Sequence, residues 1–522
     1  MRACDLFYEL SKAGALKEDF KLRPHQQVAI DKLLANKGSL LIAHGPGTGK
    51  TPTSSAAIEV MREKGMAGKA LIVTPANLRD NFLDGGIHKF TTSKGIRLGP
   101  KGEAGSHHID QATIPDADSY VVSVEMFRKD PHKYLDRTGA DTIVWDEVHK
   151  LRDTGSSNYA AAMAVRSRVK NFVGLTGTPV MNHPRDIVPI LDVITNKSHG
   201  LSGKGSDTFD KRYIGSEVKR VGPLAMFGIG RKEKHTVFHR QHELKALLGN
   251  VVHHVSTEDV AADMPKKKVV DVDVEMSKPQ HKLYNFAMQK VDPITRWKIR
   301  NNLPVNTREA QHVFSMITQA RQASNSLHVL DSTYDAARSA EDTPKSRRVL
   351  DDVHEHLGKN PTHKAIVYTN MVRGGVDQMV AGLKSRGHDP GVFIGAQQIS
   401  KKERAQHVED YLAGRKRVMV INTAGTEGLN LPGTTLHATL DGHFNPAVME
   451  QAEARGIRAG SPVKEVEVRR YRSLVPKPFG VPFLPRETST DQWIHGIADR
   501  KETLNKKFMG LMKSAALSGV RQ

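Results

Sequence analysis

The chain has 522 residues, with 77 Lys and Arg against 57 Asp and Glu, a formal charge of +20, and 38% apolar residues. The apolar content excludes a disordered chain, and no apolar stretch nears the roughly 18 residues that a membrane helix requires, so no membrane partner is expected. The single cysteine, Cys4, excludes intrachain disulfides and cysteine-built zinc sites and fits a reducing cytoplasm, while the surplus of cations points to a polyanion, most simply nucleic acid.

In chain order, the start (MRACDLFYELSKAG) lacks the charged head and apolar run of a secretory leader. Apolar runs then alternate with helical patterns. They fall at Ser39–Ala43, Ala70–Val73, Tyr120–Val124, Thr142–Trp145 and Phe172–Leu175. Runs apolar on both faces read as strands of a parallel sheet covered by helices. The Gly-, Ser- and Lys-rich stretch Asn196–Lys234 reads as a loop or insertion, and Gln280–Leu330 as mostly helical. A second set of runs follows at Ala365–Tyr368, Val418–Ile421, Leu436–Leu440 and Glu465–Val468. A proline-rich crossing (Val475–Pro485) and a basic helical pattern (Thr488–Met512) close the chain. Two α/β sheets in one chain is the architecture that this order predicts.

Residues 43–51, AHGPGTGKT, follow the first run and precede a helical pattern, the context of a phosphate loop. Glycines at 45, 47 and 49 let backbone N–H groups approach phosphate oxygens. Lys50 is expected to reach the β- and γ-phosphates and Thr51 to place its hydroxyl on Mg²⁺. The strict pattern would have glycine where His44 stands. Residues 142–150, TIVWDEVHK, deliver Asp146 and Glu147 at a strand end, where open α/β sheets bind ligands. Asp146 suits the metal, and Glu147 suits the attacking water. The pairs His107-His108 and His253-His254 lack metal-ligand spacing and are expected at the surface or an interface. Gln451, Arg455 and Arg458 fall on one helical face by spacing.

Together these pieces resemble the Swi/Snf-like double-stranded DNA translocases of the superfamily two helicase-type ATPases, over roughly residues 20–510. Leu22-Arg23-Pro24-His25-Gln26 resembles the element ahead of the phosphate loop whose glutamine reads adenine. Residues 43–51 resemble motif I, Val73-Thr74-Pro75 motif Ia, Ser123 with Glu125 motif Ib, and Asp146-Glu147-Val148-His149 motif II. Leu175-Thr176-Gly177-Thr178-Pro179 resembles the motif III of this family. In the second half, Tyr368-Thr369-Asn370 resembles motif IV and Thr423 to Leu431 motif V. Asn445-Pro446 with Gln451, Arg455 and Arg458 resembles motif VI. The terminal basic helix resembles a brace between two lobes.

The resemblance implies two tandem RecA-like α/β lobes with a helical insertion. The expected boundaries are 1–245 for the first lobe, 246–345 for connector and insertion, 346–475 for the second lobe and 476–522 for crossing and brace. It implies ATP and Mg²⁺ as cofactors. ATP is held by Arg23, Gln26, Gly45, Gly47, Thr48, Gly49, Lys50, Thr51 and Gly428, and the metal by Thr51 and Asp146. The catalytic set is Lys50, Asp146, Glu147, Gln451, Arg455 and Arg458, the last two as arginine fingers. Thr74, Pro75, Ser123, Thr178, Thr369, Asn370, Thr423 and Gly425 are implied to contact nucleic acid, through phosphates and without sequence preference. Lys266-Lys267-Lys268, Arg415-Lys416-Arg417 and Arg469-Arg470 are candidate helpers, each with a solvated face as its simpler reading. A monomer on double-stranded DNA is expected, with room for a protein partner. The alternatives are a strand-separating or fork-regressing helicase, a ring-forming ATPase and a non-catalytic basic module.

Overall fold

The computed structural model describes residues 15–201, 207–221, 231–305, 307–395, 398–426, 429–458, 460–477 and 486–518. The chain divides into two units. The first runs to Val260 and resumes at Thr503; the second spans Ala261–Glu502.

The first unit is built on seven strands in the order β3-β4-β2-β5-β6-β1-β9, all parallel. They are β1 (Ser39–His44), β2 (Lys69–Thr74), β3 (Gly95–Arg97), β4 (Ser119–Ser123), β5 (Ala140–Asp146), β6 (Asn171–Thr176) and β9 (Val252–Val255). Their runs are continuously apolar because both faces are buried. Leu41, Val73 and Trp145 join one core cluster, while Leu40, Ile42, Ile72 and Val144 join the other. Helices α1 (Pro24–Ala35) and α2 (Lys50–Glu63) flank β1 in sequence. Pro24 at the first turn of α1 fits because that N–H has no helical partner in any case.

The stretch read as a loop at Asn196–Lys234 instead leads into an antiparallel hairpin, β7 (Ile214–Val221) with β8 (Arg231–Phe238). Its strands are rich in Lys, Arg and Glu, so no apolar alternation marked them. Strand β9 is only four residues long and half histidine, so its sequence carried no strand signal either.

The second unit holds six parallel strands in the order β10-β15-β14-β11-β13-β12. They are β10 (Lys266–Glu275), β11 (Ala365–Tyr368), β12 (Gly391–Phe393), β13 (Val418–Ile421), β14 (Leu436–Thr439) and β15 (Glu465–Leu474). Strand β10 lies in the stretch expected to be connector. Its charge is that of an edge strand, exposed along most of its length. Helices α3 (Lys278–Gln289), α4 (Pro293–Arg300) and α5 (Thr307–Asn325) form a helical layer whose core includes Tyr284, Met288, Ile299, Ile317 and Trp493. Helix α6 (Pro344–Lys359) packs on the sheet, and α7 (Pro446–Glu453) carries the motif VI segment. The terminal helix α8 (Thr490–Ser518) contributes Trp493 and Ile494 to the second unit's core and Phe508, Met512 and Ala515 to the first's. Among the described residues no helix is long and apolar enough to cross a membrane.

Candidate active site

Parallel register brings the first unit's motifs to one edge. Ala43 lies opposite Thr176, and Asp146 opposite Leu175, so the phosphate loop, the acidic pair and motif III all leave the C-terminal ends of neighbouring strands. Between β1 and α2 the loop turns through Gly47 and Gly49, with φ of 78° and 89°, a region where side chains are strained. A Cβ on Gly45 would fall 2.6 Å from the Thr257 hydroxyl and 2.7 Å from its backbone nitrogen.

The loop is braced from several sides. Thr257 Oγ1 donates to the Pro46 carbonyl (3.1 Å), and His25 Nε2 donates to that of Thr48 (2.9 Å). Thr48 is buried, and its own hydroxyl donates to the Gly45 carbonyl. Gln26, the expected adenine reader, is buried; its amide donates to the Gly49 carbonyl (3.1 Å) and accepts from the Arg23 N–H (2.8 Å). Here it steadies both the start of α1 and the loop. His25 and Thr257 were not anticipated, and nothing in the spacing of Thr257 marked it.

Lys50 Nζ donates to the His44 carbonyl (3.0 Å). A Cβ on Gly177 would sit 3.2 Å from that ammonium, so motif III meets the loop at a glycine. Asp146 is buried; its carboxylate accepts from Thr74 Oγ1 and from the Glu147 N–H, both at 3.0 Å. Burial, and then the neighbouring Glu147, push its carboxyl up to about 6, against the pull of Lys50. Glu147 adopts φ of 51°, a left-handed conformation rare for a side-chain-bearing residue and typical of functional turns. Its Oε2 lies 3.1 Å from His149 Nδ1, which is 3.0 Å from Thr176 Oγ1, and that oxygen accepts from the Thr178 N–H. Motifs II and III are therefore joined by a continuous polar chain.

These residues fit a nucleotide with its metal. The glycine cradle has no room for side chains, Lys50 supplies a cation, and two adjacent carboxylates, one of them desolvated, leave a charge that a cation would relieve. Among the described residues no cluster of three His, Cys, Asp or Glu side chains could hold a metal by itself.

His253 and His254, expected at the surface, are buried on β9 next to β1. His253 Nδ1 lies 2.8 Å from His44 Nε2, and the His25 and His44 rings meet edge-on at 5.4 Å. The histidine in place of the strict motif's glycine thus belongs to a buried ring cluster. Burial holds His253 and His254 at about 4 and His44 well below its usual value, so all three are neutral at pH 7.

In the second unit several expected contacts turn inward. Thr369 is fully buried, and its hydroxyl donates to Asp441 Oδ2 (2.6 Å). Asn370 donates to Asp441 Oδ1 from its backbone (2.9 Å) and its amide (2.6 Å), and Asn325 donates to Oδ2 (2.9 Å). Arg321 lies 3.6 Å from the same carboxylate. Asp441 lies two residues past the end of β14 and was overlooked, although an Asp-Gly pair after an apolar run could have drawn notice. Arg455 is buried, donating to the Gln451 carbonyl (2.9 Å) and the Leu429 carbonyl (3.0 Å), so it ties motif VI to motif V. Gln451 is also buried, while Arg458 is half-buried. Gly428 lies outside the described residues.

The other expected nucleic-acid residues divide similarly. Thr74 holds Asp146, as above. Ser123 caps a helix by accepting from the Met126 N–H (3.3 Å). Pro75 and Thr178 are buried, Gly425 sits against Ile421, and Thr423 is exposed. The basic clusters are largely engaged within the protein. Lys267 and Arg470 pair with the buried Glu453, and Arg469 with Asp352 and Glu467. Arg415 pairs with Glu409 and Asp410, Lys416 pairs with Asp389, and Arg417 donates to three backbone carbonyls.

The SNF2-related domain matches residues 25–329, and the helicase conserved C-terminal domain matches residues 348–460. Similar proteins include an uncharacterized ATP-dependent helicase of Bacillus subtilis, 24% identical, covering 87% of this chain and 76% of that protein. A protein of Acanthamoeba polyphaga mimivirus, provisionally named an ATP-dependent RNA helicase, is 20% identical over 72% of this chain and 77% of its own length. The human SWI/SNF-related regulator of chromatin, subfamily A containing DEAD/H box 1, is 23% identical over 68% of this chain but only 32% of its own length. Among solved structures, the Sulfolobus solfataricus SWI2/SNF2 ATPase core in complex with dsDNA aligns over 87% of this chain and 88% of that one, with TM-score 0.39 and 17% identity. The chain belongs to the SNF2-related family of ATP-hydrolysing, helicase-type enzymes, with two tandem RecA-like lobes.

Proposed function

We propose that this enzyme couples ATP hydrolysis to sequence-nonspecific translocation along double-stranded DNA, remodelling protein–DNA complexes or branched DNA. The observation that carries the ATPase half is the convergence of Lys50, Asp146, Glu147 and Thr176 at one sheet edge. The DNA half is supported by the motif III text, Leu175 to Pro179, by the Swi/Snf-type relatives and by the net charge.

In this reading the glycine loop binds the phosphates and Lys50 moves from the His44 carbonyl to the β- and γ-phosphates. Magnesium on Thr51 and Asp146 would neutralise phosphate charge. Glu147, aimed by its left-handed backbone and by His149, orients and deprotonates the attacking water. Arg458 stabilises the γ-phosphate in the hydrolysing state, and Arg455 keeps its helix in register with motif V. Phosphate contacts without base readout predict affinity that falls steeply with salt.

The test is ATP turnover at fixed salt with no polymer, single-stranded DNA, blunt duplex, forked DNA or RNA, with Lys50→Ala as blank. Strong stimulation by blunt duplex is expected. Glu147→Gln should keep nucleotide and duplex binding while losing turnover by roughly 10²-fold or more. Stimulation by single strands or RNA alone would overturn the duplex reading and favour strand separation.

A further inference from the structure

We propose that the outer face of α3 and α4 is a platform for the unpaired bases of a nucleic-acid strand; this rests on the enzyme acting on nucleic acid and extends it to a second surface. Among the described residues nine large apolar side chains are exposed, and five of them, including all three aromatic ones, fall between positions 286 and 314. Phe286 is 61% exposed, Ile294 66% and Trp297 58%. Aromatic rings left in water in one short segment mark a place where something binds.

The surrounding charge says what. Along α3 the exposed residues Lys278, Lys282, Phe286 and Lys290 recur every four positions, on one face of the helix. Lys290 Nζ sits 4.4 Å from the Phe286 ring centroid. On α4, Ile294 and Trp297 are one turn apart, with Arg296 and Lys298 half-buried around them, while Arg300 is paired with Glu487 (3.2 Å). The only acid between positions 278 and 300 is Asp292, whose carboxylate caps α4 by accepting from the Thr295 N–H (2.9 Å).

A face of cations and rings repels a second copy of itself and matches a polyanion that also offers π-faces. A paired duplex hides its base faces in the stack, so phosphate contacts alone would leave these rings unused. Unpaired bases can stack on them while the lysines follow the backbone. The platform is also rigid. The inner sides of both helices bury Tyr284, Ala287, Met288 and Ile299 in one core. Such a surface would hold a strand once it is unpaired.

The test uses the full chain without nucleotide, and fluorescence anisotropy with labelled poly-dT, a blunt duplex and a fork with poly-dT arms. Phe286→Ala with Trp297→Ala should weaken poly-dT and fork binding by roughly 10-fold or more, since stacking of each base contributes about 1–3 kcal/mol. Blunt-duplex affinity and duplex-stimulated turnover should stay within about twofold. Phe286→Tyr with Trp297→Phe should recover most of the loss. Wild-type poly-dT affinity in the alanine variant would overturn the proposal, as would equal losses on blunt duplex. Concentration-dependent self-association that the alanine variant abolishes would overturn it in favour of a second copy. If blunt duplex fails to stimulate turnover, the translocase reading falls while this binding readout still decides the platform.

Discussion

The two units share a parallel-sheet plan but use their strand ends in opposite ways. At the ends of β1, β5 and β6 the first unit keeps a glycine cradle, a lysine and a carboxylate pair facing a place for a ligand. At the ends of β11 and β14 the second unit fills the corresponding place with its own groups: Thr369, Asn370, Asn325 and Arg321 all converge on Asp441. A sheet topology offers a crevice at its carboxyl edge, but the side chains decide whether it stays a site. In the second unit the proposed γ-phosphate contact lies off the strands, in the turn after α7 where Arg455 and Arg458 stand.

The largest expected effect separates those two arginines. Arg458→Ala should lower duplex-stimulated turnover by about 10³-fold or more with nucleotide binding and stability nearly unchanged. Arg455→Ala should instead lose stability, by about 1–3 kcal/mol, because the buried Leu429 carbonyl loses its donor. Steady-state turnover beside urea melts would show it. The reverse pattern would make Arg455 the finger and erase the distinction drawn between them.

The next effect concerns the second unit's knot. Asp441→Ala leaves Arg321 and two amides facing a void, and removing one partner from a buried ion pair costs about 3–5 kcal/mol. The three tryptophans make this measurable by unit. Trp145 reports the first, Trp297 and Trp493 the second. In a Trp145→Phe background the urea midpoint should drop sharply on adding Asp441→Ala. With Trp145 as the sole tryptophan it should hold, and phosphate-loop binding of nucleotide should persist. An equal drop in both would mean that the units unfold as one.

The first unit was the more legible from sequence, and the reason is physical. Strands buried on both faces must be continuously apolar, as SLLIA and TIVW are, and a phosphate loop must be glycine-rich, so pattern and chemistry coincide. Strand β10, at an edge, could be charged and was missed; β9 and the β7–β8 hairpin were missed for similar reasons. Motif spacing also could not say which way a hydroxyl turns. Thr74 and Thr369 sit in the expected strings, yet each meets a buried aspartate. The basic clusters read as candidate phosphate contacts until their carboxylate partners, scattered across the chain, came into view.

Acid should sharpen the comparison at smaller amplitude. Each unit buries two histidines held at about 4, His253 and His254 in the first and His437 and His495 in the second; to these the first adds buried His44, held well below its usual value, and the second adds half-buried His356, also held at about 4. Unfolded, each would titrate near 6.5, so the unfolded chain binds more protons between those values. Stability from neutral burial is therefore full above about pH 6.5 and falls as pH drops toward 4, by roughly 2 kcal/mol per histidine at pH 5. Both units should lose alike in that window. Below it the second unit should lose more: desolvation by burial would raise Glu453, yet Lys267 and Arg470 hold it at about 2, whereas the first unit's Glu103, held at about 2 by Arg79, is more exposed and contributes less. A depressed carboxyl contributes stability above its unfolded value near 4.5 and loses it as pH falls toward 2. Glu59, one of the first unit's buried carboxylates, is shifted the other way, raised chiefly by burial, as Asp146 is, so protonation in acid relieves it. Nucleotide-free urea melts at pH 7, 5 and 4, read through the unit-specific tryptophans, should show parallel losses to pH 5 and, at pH 4, a further loss that is larger in the second unit. Glu453→Gln should remove that extra loss by lowering stability at pH 7 in advance. A first unit that fails before the second on acidification would mean that the histidine cluster beside the phosphate loop, and not the Glu453 network, sets the acid limit of this enzyme.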